Sequence, residues 1–208
     1  MANPDPSSSG GRPFAFIAVI ILAVVVGLVW YKRYRPGRPA PTRVAEGPIY
    51  LQTDPRWASD TLGGSGETLS EAGCVVCCVA MALDALGVDL HPGQLNARLK
   101  GIDGYSREGW VRWNAVAQVA GGKVGFQIPQ EASRSAIDGA LGEGRQVIAK
   151  AALPAGRSHW VLIVGKDADD YWIKDPLGNG TTLERLSKYP GDPQAIRILR
   201  AIGTGGGG

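Results

Sequence analysis

The chain of 208 residues is long enough for one domain and an appendage, and with 44% hydrophobic residues it can bury a core. Its net charge of +3 is unevenly placed, because residues 1–47 carry six basic and two acidic residues while the remainder is close to neutral. A near-neutral domain lacks the basic surface that nucleic-acid binding needs, and three clustered cysteines exclude a framework of long disulfide loops.

The first predicted element is a membrane-spanning helix at residues 14–31, an uncharged and almost wholly apolar run of 18 residues. As a helix with a rise of about 1.5 Å per residue it would extend roughly 27 Å, close to the thickness of a bilayer core. It ends at Trp30 and Tyr31, whose amphipathic rings favour the membrane interface. A buried core helix and a cleaved signal peptide are the alternatives, but neither end has polar periodicity and no clear cleavage site follows.

Unstructured segments are predicted on both sides of this helix and at the end of the chain. Residues 1–13 and 203–208 have the composition of disordered tails, and residues 32–47, rich in Pro, Arg and Gly, that of an extended linker. The basic residues that follow the helix favour the cytoplasmic side for everything downstream. The sequence therefore predicts a single-pass membrane protein whose folded domain spans residues 48–202.

Within this domain, hydrophobic periodicity predicts helices first and mostly strands later. The apolar run at residues 74–86 predicts a helix that is buried on most sides and ends at Gly87. Further helices are predicted at residues 92–99, 110–120 and 131–141. Strands are predicted at residues 49–53, 123–128, 146–151, 159–165, 170–175 and 195–202. This order predicts the α+β class with a largely antiparallel sheet.

Cys74 opens the buried helix, and it is the first candidate for chemistry. A thiol at a helix N-terminus feels the positive end of the helix dipole, which favours the thiolate that nucleophilic catalysis needs. The alternative is a small buried thiol that only fills the core. For Cys77 and Cys78, one turn further into the apolar helix, this packing role is the prediction.

The chain has two histidines, and His159 is the candidate base. It begins the run HWVLIVG, which predicts a central strand covered on both faces. A polar imidazole at the start of such a strand can face a cleft. The small residues 154–158 before it suit an open cleft, while a purely structural histidine is the alternative. His91, which precedes Pro92, is predicted to be a surface-loop residue.

Asp175 ends the strand after His159 and can orient its imidazole. A turn centred on Ala168 places Asp175 opposite Val161, two residues from His159 on the same face of the sheet, where side chains at diagonal positions reach each other. A slip of one residue would put the two side chains on opposite faces. The alternatives are a plain turn residue before Pro176 and a substitute role for Asn179.

Gln52 is a candidate oxyanion donor on the first predicted strand. A thiol hydrolase commonly places a side-chain amide beside the backbone N–H of its nucleophile to stabilise a developing oxyanion. An ordinary surface glutamine is the alternative.

These residues belong to motifs that resemble the C39-like peptidase family of the papain-like cysteine peptidase fold, over roughly residues 50–199. The matching positions are Gln52, Asp54, Trp57, Leu62, Gly63, Thr68, Gly73, Cys74, Ala80 and Met81, followed by the segments SHWVLIVG and DYWIKDPLGN. The resemblance implies that Cys74 is the nucleophile, His159 the base, Asp175 its orienter and Gln52 an oxyanion donor. Many relatives have Thr-Ser in place of Cys77 and Cys78. The family often works outside the cytoplasm, which is opposite to the charge-based orientation.

The sequence therefore predicts a membrane-tethered cysteine peptidase or amide hydrolase that acts on a peptide or protein substrate through a thioester, without a cofactor. The bilayer, through residues 14–31, is the second predicted partner, and nothing predicts an oligomeric state. One alternative is a catalytically silent peptide-binding module of the same fold. Another is a metal protein that uses Cys74, Cys77, Cys78 and His159, since positions i, i+3 and i+4 share a helix face, although zinc ligands usually come from separate hairpins.

Overall fold

The computed structural model describes residues 24–25, 46–153 and 158–203. The predicted membrane helix apart from residues 24–25, the linker up to residue 45, residues 154–157 and nearly all of both predicted tails lie outside the described residues. In the part of the chain that is described, no helix combines the length and hydropathy needed to cross a membrane. The chain divides into two compact units after Pro41, and all elements below belong to the second.

The described domain has helices in its first half and strands mostly in its second half, as predicted. The helices are α1 Leu69–Ala72, α2 Cys74–Ala85, α3 Pro92–Gly101, α4 Trp113–Val119 and α5 Arg134–Gly142. The strands are β1 Val124–Gln127, β2 Gln146–Ala152, β3 Ser158–Asp167, β4 Asp170–Lys174, β5 Glu184–Arg185 and β6 Ala195–Ala201, with a 3-10 helix at Leu186–Lys188.

The strands form one sheet within the described residues, in the order β1-β6-β2-β3-β4-β5, and every neighbouring pair is antiparallel. The predicted α+β class with a largely antiparallel sheet is therefore confirmed. Both faces of the sheet are covered. Helix α2 packs on one face against Ile148, Leu162 and Leu199, and α5 packs on the other through Ile137 and Ala140. The predicted central strand β3 is thus buried on both sides.

Helix α2 is buried along nearly its whole length, which explains its uniformly apolar sequence. Its residues 76–83 are all at most 1% exposed, and Cys77 and Cys78 are among them. The prediction that these two thiols pack in the core is confirmed. The helix stops where Gly87 takes a φ of 79°, a left-handed conformation that glycine adopts without strain.

The strand predicted at residues 49–53 is wrong, because this segment is irregular and joins no strand of the sheet. Only the N–H of Gln52 pairs across, with the carbonyl of Pro176 at 3.1 Å. The free edge of β4 is taken instead by β5. Immediately after the segment, Asp54 accepts a hydrogen bond from the N–H of Arg56, a turn that ends any extended run.

The helix predicted from residue 110 begins only at Trp113. The preceding residues form a tight loop, in which Tyr105 pairs with Val111 and the hydroxyl of Ser106 accepts from the N–H of Trp110 at 3.3 Å. Gly109 has a φ of 81° at the turn. Trp110 therefore stands at the tip of the loop, 73% exposed, and not on a helix face.

The last two residues of the predicted linker already contact the domain. The Lys174 ammonium donates to the carbonyl of Glu46 at 2.5 Å. Gly47 has a φ of 68°, and a Cβ there would lie 2.9 Å from a carboxylate oxygen of Asp84. Residues 46 and 47 are therefore part of the folded unit.

Candidate active site

Cys74 is placed by the junction between two helices. Gly73 separates α1 from α2, and a Cβ at Gly73 would lie 2.4 Å from the carbonyl oxygen of Leu69, so only glycine fits. This close junction makes Cys74 the first residue of α2, at the positive end of a 12-residue helix. Unlike the two thiols that follow it, Cys74 is partly exposed and lines a cleft.

His159 lies near the start of β3, 2% exposed, and its ring nitrogen Nε2 lies 2.7 Å from Oδ1 of Asp175. An ionised carboxylate only accepts, so Nε2 carries the proton of this hydrogen bond. The other ring nitrogen, Nδ1, is the one left for Cys74. The histidine is thus held by an acid on one side and lines the cleft that holds the thiol.

The environment of His159 favours its protonated form. Burial by itself would lower the pKa of the ring, but hydrogen bonds to Asp175 and Cys74 and the charges of both residues raise the pKa from 6.5 to about 9. The imidazolium is therefore the main species at neutral pH. An imidazolium beside a thiol stabilises the thiolate, which is the reactive form of cysteine.

Asp175 is a buried carboxylate with every oxygen engaged. Oδ1 also accepts from the N–H of Leu177 at 2.8 Å, and Oδ2 accepts from the Lys188 ammonium at 2.8 Å and the Tyr189 hydroxyl at 2.6 Å. Burial alone would raise the pKa of Asp175, but the hydrogen bonds from His159, Lys188, Tyr189 and Leu177 hold it well below its usual range. Asp175 therefore stays ionised and fixed behind the ring.

The register of the β3–β4 hairpin brings these two residues to the same face. Leu162 faces Lys174 and Ile163 faces Ile173, which is the register predicted near the site. The turn itself differs from the prediction, because Asp167 pairs with Asp170 and the pairing shifts by one between Ile163 and Gly165. A β-bulge at this point adds one residue to β3. The extra residue offsets the one-residue difference in the turn and returns the strands to the predicted register.

Gln52 is buried at 4% exposure, so the alternative of a surface glutamine is wrong. Its amide nitrogen donates to the carbonyl of Ser70 at 2.7 Å, just before the α1–α2 junction. This bond leaves the second amide hydrogen free. Its Oε1 is buried with no hydrogen-bond partner among the described residues. Gln52 lines the same cleft as Cys74 and His159.

The cleft that contains these groups has a volume of about 530 Å³. It lies between the helices and the sheet, and its walls mix polar and apolar side chains. The lining residues away from the thiol include Glu67, Glu71, Trp110, Trp113, Lys150, Leu153, Trp160, Leu177 and Arg197. A larger depression of about 700 Å³ lies around residues 167–170 and 185–193, but it holds neither cysteine nor histidine. The smaller cleft is the one that Cys74 and His159 line.

The structure brings together three of the four predicted site residues in the cleft and places Asp175 directly behind His159. Asn179 is not a substitute for Asp175, because its side chain closes a local turn with Thr181 and Thr182. His91 is not a plain loop residue as predicted. It caps α3 by accepting from the N–H of Gln94 at 3.3 Å, and it stacks on Trp57 at 5.5 Å between ring centroids.

Sequence reasoning missed Lys188, Tyr189, Trp110 and Arg197. Lys188 and Tyr189 follow a short strand with no alternating pattern, so no local signal indicates that they hold Asp175. Trp110 falls within the helix predicted at residues 110–120, whereas the observed helix begins at Trp113. Arg197 lies on β6, where its alternation with Ile196 and Ile198 is consistent with an outward-facing charge.

The metal alternative finds no support in the positions of the thiols. The described residues contain no group of three His, Cys, Asp or Glu side chains close enough to hold an ion. Cys77 and Cys78 point into the core, where the Cys78 thiol donates to the carbonyl of Trp160 at 3.3 Å. Burial raises the pKa of both thiols, which opposes the thiolate form that a metal needs.

Comparisons with known proteins give little beyond this geometry. No protein-family model matches the chain, and no curated protein matches it either. Among solved structures the chain is similar to a crystal structure from Bacillus anthracis, described as a "putative C39-like peptidase", which it matches with a TM-score of 0.49 and 12% sequence identity. The match covers 77% of this chain and 99% of that one. A likeness of this size carries no functional weight, and the function rests on the site.

Proposed function

We propose that residues 48–202 form a papain-like cysteine peptidase or amide hydrolase with Cys74, His159 and Asp175 as its triad. The observation that carries the proposal is the 2.7 Å contact between the buried Asp175 and His159, which lines the same cleft as Cys74, the first residue of α2. An acid that orients a histidine beside a partly exposed thiol is the arrangement required for an activated nucleophile. The motifs that resemble C39-like peptidases agree with this assignment.

The reaction would begin with the thiolate of Cys74, paired with the imidazolium of His159. The sulfur attacks the carbonyl carbon of a peptide or amide bond, and the carbonyl electron pair moves onto oxygen. The backbone N–H of Cys74 and the free amide hydrogen of Gln52 are the proposed oxyanion donors. When the tetrahedral intermediate collapses, His159 gives its proton to the departing amine, and a thioester on Cys74 remains.

In the second half the neutral His159 takes a proton from water, which attacks the thioester carbonyl. Collapse breaks the C–S bond, releases the carboxylic acid and restores the thiolate–imidazolium pair. Throughout, Asp175 holds Nε2 and keeps the ring aligned. Because its second oxygen is bound by Lys188 and Tyr189, the carboxylate cannot rotate away. No step needs a cofactor.

The membrane tether belongs to the same proposal. Residues 14–31 would anchor the domain to a bilayer, with residues 32–45 as a spacer. The basic flank favours the cytoplasmic side, whereas the resemblance favours the opposite side. A protease-protection assay on sealed vesicles, with an epitope tag at the C-terminus, would distinguish the two orientations.

The test of the activity is profiling with a peptide library, comparing wild type with Cys74→Ala and His159→Ala. We expect cleavage by the wild type only, since each substitution removes a reacting group. His91→Ala is the matched control, because it removes the other histidine, which caps the start of α3 and does not line the cleft, and we expect it to retain cleavage. Binding of peptides without any Cys74-dependent cleavage would instead favour the silent binding module.

A further inference from the structure

Arg197 holds an unusual position in the wall of the cleft. Its guanidinium lies between two tryptophan rings, 5.6 Å from the centroid of Trp113 and 5.3 Å from that of Trp160. Trp160 directly follows His159 in β3, and all of these side chains line the cleft. The cation–π contacts hold the charged group in place and partly offset the loss of its hydration.

The hydrogen-bonding capacity of this guanidinium is largely unused. Its Nε is buried and has no partner among the described residues, and one terminal nitrogen donates to the carbonyl of Ile196 at 2.8 Å. Five other arginines of the described domain pair with carboxylates, and three more lack such a pair but are exposed to solvent. The paired ones are Arg56, Arg112, Arg134, Arg145 and Arg185, and the exposed ones are Arg98, Arg107 and Arg200. Arg197 has no such pair within the described residues, and burial lowers its pKa. A half-buried cation without an anion is costly unless a ligand supplies one.

A second cation lies on the same side of the sheet. Lys150 faces Trp160 across β2 and β3, and Ile148, two residues away on the same face, faces Arg197 on β6. Lys150 and Arg197 both line the cleft. Glu67 and Glu71 line it too, but both are exposed, and Glu71 is engaged by the N–H of Thr68 at 2.8 Å. The sheet side of the cleft is therefore cationic.

We propose that Arg197, held between Trp113 and Trp160 and supported by Lys150, is a subsite for a carboxylate of the peptide substrate. The guanidinium fork matches a carboxylate in a bidentate geometry, and the tryptophans keep it pre-organised. The proposal rests on the proposed function and adds a substrate class to it, namely peptides that carry an acidic side chain or a free C-terminal carboxylate near the scissile bond.

The sheet geometry indicates how far this carboxylate lies from the reacting atoms. Ala151 faces His159 and Ile148 faces Arg197, so the two sites are three residues apart along β2 and two strands apart across the sheet. With strands about 4.8 Å apart and about 3.3 Å per residue, the Cα atoms of His159 and Arg197 are separated by roughly 14 Å. Because three is an odd number of residues, the two side chains leave the sheet on opposite faces, Arg197 on the face of Trp160 and His159 on that of Val161, although both line the cleft. The carboxylate should therefore belong to a residue several positions away from the scissile bond.

The experiment compares matched peptides in which Glu or the isosteric Gln is placed at each position around a cleaved bond, each with a free and an amidated C-terminus. We expect kcat/KM to be about 10- to 100-fold higher for Glu at one position, or for the free C-terminus. Arg197→Met should reduce this ratio to near one, mainly by lowering kcat/KM for the acidic peptide. Arg200→Met is the matched control on the same strand outside the cleft, and it should leave the preference intact.

The outcomes separate this inference from the proposed function. The peptidase would stand and the carboxylate subsite would be overturned by one result: Cys74-dependent cleavage with the same kcat/KM for Glu and Gln at every position and for both forms of the C-terminus. This comparison needs no variant at Arg197. If no peptide is cleaved, the same pairs are titrated onto Cys74→Ala protein by calorimetry. Tighter binding of the carboxylate peptide, lost when Arg197→Met is added, would then support the subsite even if the protein is not a peptidase. Equal affinities within each pair would overturn it.

Discussion

His159 and Asp175 make their 2.7 Å contact across a hairpin that contains a β-bulge. Near the turn, Lys166 faces Tyr171 and Asp167 faces Asp170, and continuing that register would move Asp175 one residue along β3. A shift of one residue turns a side chain to the opposite face of a sheet. The bulge between Ile163 and Gly165 restores the alignment, so it is this irregularity that puts the Asp175 carboxylate behind the His159 ring.

The surroundings of Asp175 predict that an amide cannot replace it without cost. Asn can still accept from Nε2 of His159, but its amide group would then face the Lys188 ammonium, which can only donate. We expect Asp175→Asn to lower kcat/KM about 10-fold and Asp175→Ala about 100-fold, within the usual range of acid–base contributions. Both variants should also lower the melting temperature, which differential scanning fluorimetry would record.

The matched test is the double variant Asp175→Asn with Lys188→Met. Removing the ammonium removes the clash between two donors, and the Tyr189 hydroxyl can turn to accept from the amide. The double variant should therefore be more stable than Asp175→Asn alone. If the two variants melt at the same temperature, the Lys188 ammonium is not what destabilises Asp175→Asn.

The raised pKa of His159 predicts how activity and stability depend on pH. The folded-state pKa of about 9 lies above the ordinary value of 6.5, so the paired imidazolium stabilises the fold fully below pH 6.5, and this contribution is lost as the pH rises through 9. The kcat/KM should fall along the same limb, because the ring loses the proton it gives to the leaving amine. Cys74→Ala should lower the pKa of His159 in an NMR titration, since Cys74 helps to raise it. An unchanged value would contradict the contact between thiol and ring.

The three cysteines should separate into one reactive and two structural thiols. A thiol-reactive probe should label Cys74 in the native protein and label Cys77 and Cys78 only after unfolding, because both are fully buried. Cys74→Ala should keep the melting temperature nearly unchanged. Cys78→Ala should lower the free energy of unfolding by about 1 kcal/mol, through lost packing and the lost hydrogen bond to Trp160. Equal labelling of all three thiols in the folded protein would count against the site.

Trp110 predicts a substrate contact at the mouth of the cleft. A large aromatic side chain that is 73% exposed at a loop tip adds nothing to the core, yet it lines the cleft opposite the sheet. Trp110→Ala should raise KM several-fold, with little change in kcat or melting temperature. Trp57→Ala is the contrasting variant, because Trp57 is 1% exposed and its loss should destabilise the fold by about 3–5 kcal/mol.

The N-terminal boundary of the domain predicts the result of truncation. A chain that begins at residue 46 keeps the bond from Lys174 to the carbonyl of Glu46, and it should fold and remain in solution without detergent. A chain that begins at residue 48 loses this partner for a buried ammonium and should melt at a lower temperature. The chain of 208 residues should partition with liposomes, whereas the chain from residue 46 should not. Equal partitioning of both would contradict a membrane role for residues 14–31.

Much of the fold could be predicted because its signals are local. The apolar run of α2 and its stop at Gly87 identify a buried helix, and the apolar runs of β2 and β3 identify the central strands. The same locality identified Cys74 at a helix start and His159 at a strand start. The prediction failed at residues 49–53, where an apolar start resembles a strand but the partner edge is already occupied by β5. Strand pairing is a property of the whole sheet, and no window of sequence contains it.

The sequence alone determined which residue types were available for chemistry, since the chain offers one thiol at a helix start and one histidine at the mouth of a buried strand. The tertiary structure decided what surrounds them. The donors that hold Asp175, the two rings around Arg197 and the loop that presents Trp110 all come from segments distant in the chain, and the bulge in β3 decided which side chains share a face. These contacts depend on register and packing across the sheet, which long-range geometry sets and local pattern does not encode.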